Sequence, residues 1–105
     1  MQRDPVITAV VCTTDLHALG ALAEARVLGL AVPSRLSITG FDDLDIVAEV
    51  DPPLTTVHVP SREIGQRVGD MLMATIFGRP TTQIIELSAP IVVRGSTARA
   101  PDLRG

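Results

Sequence analysis

Three aspartates, Asp42, Asp43 and Asp45, follow an alternating run from Leu36 to Phe41, and the triplet Thr13, Thr14, Asp15 follows an apolar, β-branched run from Ile7 to Cys12. Both clusters therefore stand at the carboxyl ends of expected strands, the edge at which ligands bind in open α/β sheets. The aspartates could do three things. An ionised Asp42 could accept charge-assisted hydrogen bonds from ligand hydroxyls, each worth roughly 1.5 to 3 kcal/mol. Asp43 could instead cap the short helical pattern that follows, with Asp45 simply solvated. A Mg²⁺ site would need carboxylates converging with water or phosphate, and neither a Lys nor a second acidic strand end accompanies them. Thr14 both donates and accepts, which suits a polyol, and a local capping role is equally open to it. Asp15 is expected as the N-cap of the next helix, where its carboxylate would accept from free N–H groups for about 1 kcal/mol.

Other chemistries lack their residues. The chain has no Lys, Asn, Trp or Tyr, and its aromatics are Phe41 and Phe77. That excludes a P-loop, a Schiff-base lysine and the stacking platforms used on single-stranded nucleic acid. His17 and His58 have no Cys or carboxylate at zinc-ligand spacing, so no metal is expected, and His58 in an apolar strand reads as a satisfied, half-buried residue. Neither G-x-S-x-G nor G-x-G-x-x-G occurs, and Ser96 has no neighbouring base. No catalytic residue and no cofactor are expected. Nine Arg are dispersed along a chain of net charge −3, which is no phosphate-tracking surface. Cys12 is single, so it cannot form an intrachain disulfide; it reads as a small buried hydrophobe and fits a reducing cytoplasm.

The elements that must position these residues fit one small domain. The chain has 105 residues, 46% of them apolar, and a mean hydropathy of +0.34, so it is globular in composition and too short for separate catalytic and binding domains. Met1 to Pro5 shows no secretory pattern, and no apolar run reaches the roughly 18 residues of a membrane span, so a soluble, unexported, cytoplasmic chain is expected. Ile7 to Cys12 predicts a strand buried on both faces. Leu16 to Leu28 predicts a helix closed by Gly29. It carries two apolar stripes, Leu16, Leu19, Ala23, Val27 and Ala18, Leu22, Ala25. One sheet face cannot cover both, so a second subunit is expected to cover the other. Leu36 to Phe41 predicts a second strand, and Leu44 to about Val50 a short helix stopped by Asp51, Pro52 and Pro53. Leu54 to Val59 predicts a third strand, and Ser61 to Phe77 a long amphipathic helix ended by Gly78 and Pro80. Gln83 to Leu87 and Pro90 to Arg94 predict two further strands. The last ten residues, without apolar period, are expected to fray unless docked. The alternation of strands and helices implies an α/β layer on a mainly parallel sheet.

The ordered strings TTDLHALGALAEARVLGLAVP, LSITGFDD, PPLTTVHVP, REIGQRVGDML and VVRGST, spanning about residues 5 to 98, resemble the carboxyl-terminal part of LacI/GalR-family transcriptional regulators. The resemblance implies part of a Rossmann-like lobe of a periplasmic-binding-protein-like effector core, without the DNA-binding headpiece and hinge. The chain is thus expected to be a piece of a longer regulator, able to meet operator DNA only through that headpiece. By position, Thr14 and Asp42 match effector contacts for a sugar or similar polyol, Asp15 matches the capping Asp of the family motif, and the helix from Leu16 matches a dimer-interface helix. Leu19, Leu22 and Val50 become the interface candidates. Family topology implies that the chain crosses between lobes near Val59–Pro60 and again near Ala89–Pro90. The Ser61–Phe77 helix would then expose an apolar face and favour self-association. The alternative with the same core fold is the sugar-binding component of a transporter.

Overall fold

The computed structural model describes residues 6–81 and 83–103; the pattern read for Met1 to Pro5 lies outside the described residues. Two compact units divide the chain. The first runs up to His58 and resumes at Pro90, and the second is Val59–Ala89. These boundaries coincide with the crossings that the resemblance implies.

The first unit is built on a βαβ core. Strand β1 (Ala9–Val11) pairs in parallel with β2 (Ser37–Thr39), Val10 opposite Ile38, and helix α1 (Asp15–Val27) joins them. The sheet continues from β2 through parallel bridges Thr39–Thr55 and Asp42–His58 to β3 (Thr56–Val57). β3 then pairs antiparallel with β4 (Ile91–Val92), Thr56 opposite Val92. The expected parallel sheet is present, with one antiparallel edge. β1 is not buried on both faces: Val11 is 80% exposed, and among the described residues β2 is its one strand neighbour.

Of the two stripes on α1, Ala18 and Ala25 are the buried residues. They pack with Leu36, Ile38, Val47 and Leu54 in the core, while Leu16 and Val27 of the other stripe are 69% and 78% exposed. Small side chains let the helix approach the sheet closely. The helix ends as its Gly29 foretells. Gly29 takes a φ of +72°, its N–H donates to Arg26 O at 3.2 Å, and the Leu30 N–H reaches back to Ala25 O at 2.8 Å. That paired closure satisfies two otherwise orphaned carbonyls.

The short helix expected from Leu44 to Val50 is a single 3-10 turn, Asp45–Ala48. Its capping position is Leu44, with no side-chain cap, so Asp43 does not serve the capping role considered for it. The tail is docked at Ser96 and Ala98. Ser96 is fully buried: its Oγ donates to Ile38 O at 2.6 Å, the Thr55 N–H donates to that Oγ at 2.8 Å, and the Ile38 N–H donates to Ser96 O at 3.0 Å. Ala98 follows, its N–H donating to Ser37 Oγ at 3.1 Å. The returning segment thus supplies partners to the Ile38 backbone and the Thr55 N–H beside the Thr39–Thr55 bridge.

The second unit is dominated by α2 (Ser61–Ile76), which ends at Gly78 by the same paired closure. No residue of α2 is buried, and Ile64, Val68, Leu72, Met73 and Ile76 stand exposed. The strand expected over Gln83–Leu87 does not form; among the described residues this unit has no other strand with which it could pair. Among the described residues no helix is long and apolar enough to cross a membrane.

Candidate functional site

At the carboxyl edge of the parallel sheet the loop after β1 carries Thr13, Thr14 and Asp15, the loop after β2 carries Phe41, Asp42 and Asp43, and His58 follows β3. The Asp15 N–H donates to Phe41 O at 3.0 Å, so the residue after Thr14 is joined to the residue before Asp42.

The N-cap of α1 is Thr14 and not Asp15. Its backbone is extended and its Oγ1 accepts from the His17 N–H at 3.1 Å. The cap uses a lone pair, which leaves the Thr14 hydroxyl proton free to donate. Asp15 instead opens the helix proper and turns its carboxylate inward. Fully buried, it accepts from the Leu44 N–H at 2.8 Å and from the Thr56 hydroxyl at 2.7 Å. The carboxylate lies at the positive end of the helix, where negative charge is favoured. Gly40 makes room for it: a Cβ there would overlap Asp15 Oδ1 and lie 2.9 Å from Leu54 Cδ2.

Asp42 and Asp43 are consecutive non-glycine residues at positive φ, +131° and +62°. Such conformations cost on the order of 1–3 kcal/mol each and persist only where the surroundings hold them. Asp42 is held by its own N–H, which donates to Val57 O at 3.0 Å. Its carboxylate takes no hydrogen bond or ion pair among the described residues. Asp43 is engaged on both oxygens: Arg94 donates to Oδ1 at 2.8 Å and His58 Nδ1 lies 2.9 Å from Oδ2. Burial alone would raise the Asp43 pKa, but the hydrogen bonds and charges of Arg94 and His58 outweigh it and hold the carboxyl below its ordinary value. Arg94 also donates to Leu54 O at 3.0 Å.

The sequence reading missed Arg94 as a site-edge residue and placed Ser96 in a loose tail. A cation demand from the aspartate cluster was the available signal for Arg94. His58 matches its satisfied, half-buried reading, its side chain being 50% exposed and bound to Asp43. Asp45 is exposed. Among the described residues no three His, Cys, Asp or Glu side chains converge as a metal site would require. Cys12 is partly buried, and desolvation pushes its thiol pKa up.

The three interface candidates come together away from this edge. Leu19, Leu22 and Val50 line one open groove of about 780 Å³ with Leu30, Val32 and Pro52, and Arg26 and Asp51 also line it.

Comparison with known proteins agrees with this architecture. The family model for the periplasmic binding protein-like domain matches residues 1–97. The HTH-type transcriptional regulator MalR of Streptomyces coelicolor is 50% identical over 99 residues, covering 93% of this chain and 29% of that protein. A LacI family transcriptional regulator from Mycobacterium smegmatis superposes with a TM-score of 0.80 at 38% identity, over 90% of this chain and 34% of that one. The transcriptional regulator CelR in complex with cellobiose superposes at 0.83 with 31% identity, over 90% of this chain and 29% of its own. The chain belongs to the periplasmic-binding-protein-like domain family, in its LacI-type transcriptional regulator branch. It spans less than a third of the length of the curated relatives it matches.

Proposed function

We propose that this chain is the effector-sensing and dimerisation part of a LacI-type transcriptional regulator, binding a sugar or similar polyol through Asp42 and Thr14 and carrying out no catalysis. The observation that carries this reading is the Asp42 carboxylate: held at the sheet edge in a strained conformation, it has no partner of its own among the described residues, while Asp15 and Asp43 beside it are fully engaged. An acceptor-only carboxylate on the same sheet edge as a donor hydroxyl is suited to ligand hydroxyls. The cellobiose complex of CelR supports the choice of ligand class. In this reading the groove lined by Leu19, Leu22 and Val50 packs against a second copy, operator DNA is met only through a separate headpiece, and the regulator works in the cytoplasm. Effector binding then biases two arrangements of the core, typically by 1–3 kcal/mol.

A thermal-shift screen of sugars and purines tests it, with Asp42→Ala as control. The expected result is stabilisation of the wild type by a polyol and a loss of about tenfold or more in affinity in the variant, the effect of removing one or two charge-assisted hydrogen bonds. Undiminished stabilisation of Asp42→Ala would remove Asp42 from the site.

A further inference from the structure

Asp43 shares a peptide bond with Asp42, and its two carboxylate oxygens reach the two places where the chain changes units. His58, bound to Oδ2, is the last residue of the first unit before the chain leaves it. Arg94, bound to Oδ1, lies just after Pro90, where the chain returns. A carboxylate can only accept, so His58 donates through Nδ1. The outgoing and returning segments are also joined directly, the His58 N–H donating to Pro90 O at 2.8 Å. On the returning side the Arg94 N–H donates to Thr55 Oγ1 at 2.9 Å and its guanidinium to Leu54 O at 3.0 Å, so Arg94 cannot follow a moving Asp43 freely. Asp43 is therefore held from two sides, and its side chain is 15% exposed.

We propose that Asp43 is a positioning residue that couples effector contact at Asp42 to the paired crossing segments through His58 and Arg94. The proposal rests on the reading of Asp42 as the effector contact. Both residues sit at positive φ, where few alternative backbone conformations are open to a residue with a side chain. Side-chain rotation can re-aim the Asp42 carboxylate, but any backbone adjustment that a ligand draws from Asp42 passes to Asp43 and so to His58 and Arg94. Equally, displacement of the crossing segments alters the presentation of Asp42, as the reciprocity of coupled sites requires.

The test uses ¹⁵N-histidine-labelled protein and a panel of cellobiose, maltose, ribose and adenosine, with binding followed by calorimetry and the His58 ring by nitrogen-detected spectra. The variants are Asp42→Ala, Asp43→Asn, His58→Gln, which keeps an amide donor for Asp43, and Arg94→Lys. The expected result is a His58 Nδ1 resonance that shifts on binding in the wild type, loses that response in Asp43→Asn, and accompanies an affinity loss of about tenfold. His58→Gln should retain most of the wild-type affinity, because it preserves the donor. A merely structural Asp43 would lower the melting temperature yet leave the His58 response and affinity, within about twofold, intact, and that result overturns the proposal while the Asp42 reading stands. Failure of every probe to bind, or wild-type affinity in Asp42→Ala, overturns both.

Discussion

The carboxylate of Asp15 and the hydroxyl of Thr56, 41 residues apart in sequence, meet at 2.7 Å in the interior of the first unit. With the Leu44 N–H on its other oxygen, Asp15 ties the start of α1 to the segment after β2 and to β3. Asp15→Ala leaves an amide and a hydroxyl without their acceptor, at about 1–3 kcal/mol each, so a loss of about 3 kcal/mol in urea unfolding is expected. A double-mutant cycle with Thr56→Val should give a coupling of about 1 kcal/mol, and additive effects would show that the contact contributes nothing of its own.

Thr14 caps α1 through its hydroxyl oxygen. Thr14→Ala should cost about 0.5–2 kcal/mol through loss of the N-cap, whereas Thr14→Ser keeps the cap oxygen and should retain most of that stability. Thermal unfolding of the pair measures this, and equal loss in both variants would contradict capping by the hydroxyl.

Gly40 has no room for a methyl group, since the added carbon would meet the Asp15 carboxylate and Leu54 Cδ2. Gly40→Ala is expected to destabilise by about 1–3 kcal/mol, the usual consequence of overpacking. Ala at Gly20 or Gly65, where nothing lies within 4 Å, provides the neutral control. Equal stability of Gly40→Ala and its controls in urea would show that the gap is not enforced.

The Asp43 clamp makes a signed contribution to acid stability. Its folded pKa is depressed by Arg94 and His58 below the ordinary value of 3.8. That contribution is fully present above the unfolded pKa and is lost as pH falls from about 4 through the lower folded value. Unfolding free energies measured across that acid range should fall less steeply in Asp43→Asn than in the wild type; the same slope in both would remove the clamp from the pH dependence.

The groove lined by Leu19, Leu22 and Val50 sets an expectation for association. Leu22→Arg places an unpaired charge in it and should shift sedimenting species from dimer toward monomer, with a weakening of about tenfold or more. A wild type that is already monodisperse as a monomer at micromolar concentration would count against the interface.

Local signals carried much of the fold. Gly29 and Gly78 ended their helices and Ser61 opened α2, whereas the 3-10 turn ends at Ala48, ahead of Pro52 and Pro53. The sheet edge holding Thr14 and Asp42 was legible too, because both lie just past strand runs. The division of labour within each aspartate cluster was not. Which of Asp42 and Asp43 is engaged depends on Arg94 and His58, remote in sequence, and Asp15 and Thr14 exchange their expected roles because Thr56 and Leu44 claim the Asp15 carboxylate. Ser96 escaped for a similar reason: a residue that fills a gap by backbone pairing needs no apolar period to announce it.

The docking of Ser96 between Ile38 and Thr55 also has a consequence for synthesis. The first unit is interrupted by Val59–Ala89, so its closing segment is translated only after the whole of the second unit. At typical elongation rates that interval is on the order of a few seconds, during which the Ile38 and Thr55 backbone groups stay hydrated and open to other partners. A stop codon just before Ser96 would therefore do more than shorten a tail: it would leave the ribosome releasing a first unit whose Ile38 backbone and Thr55 N–H lack the partners that Ser96 supplies.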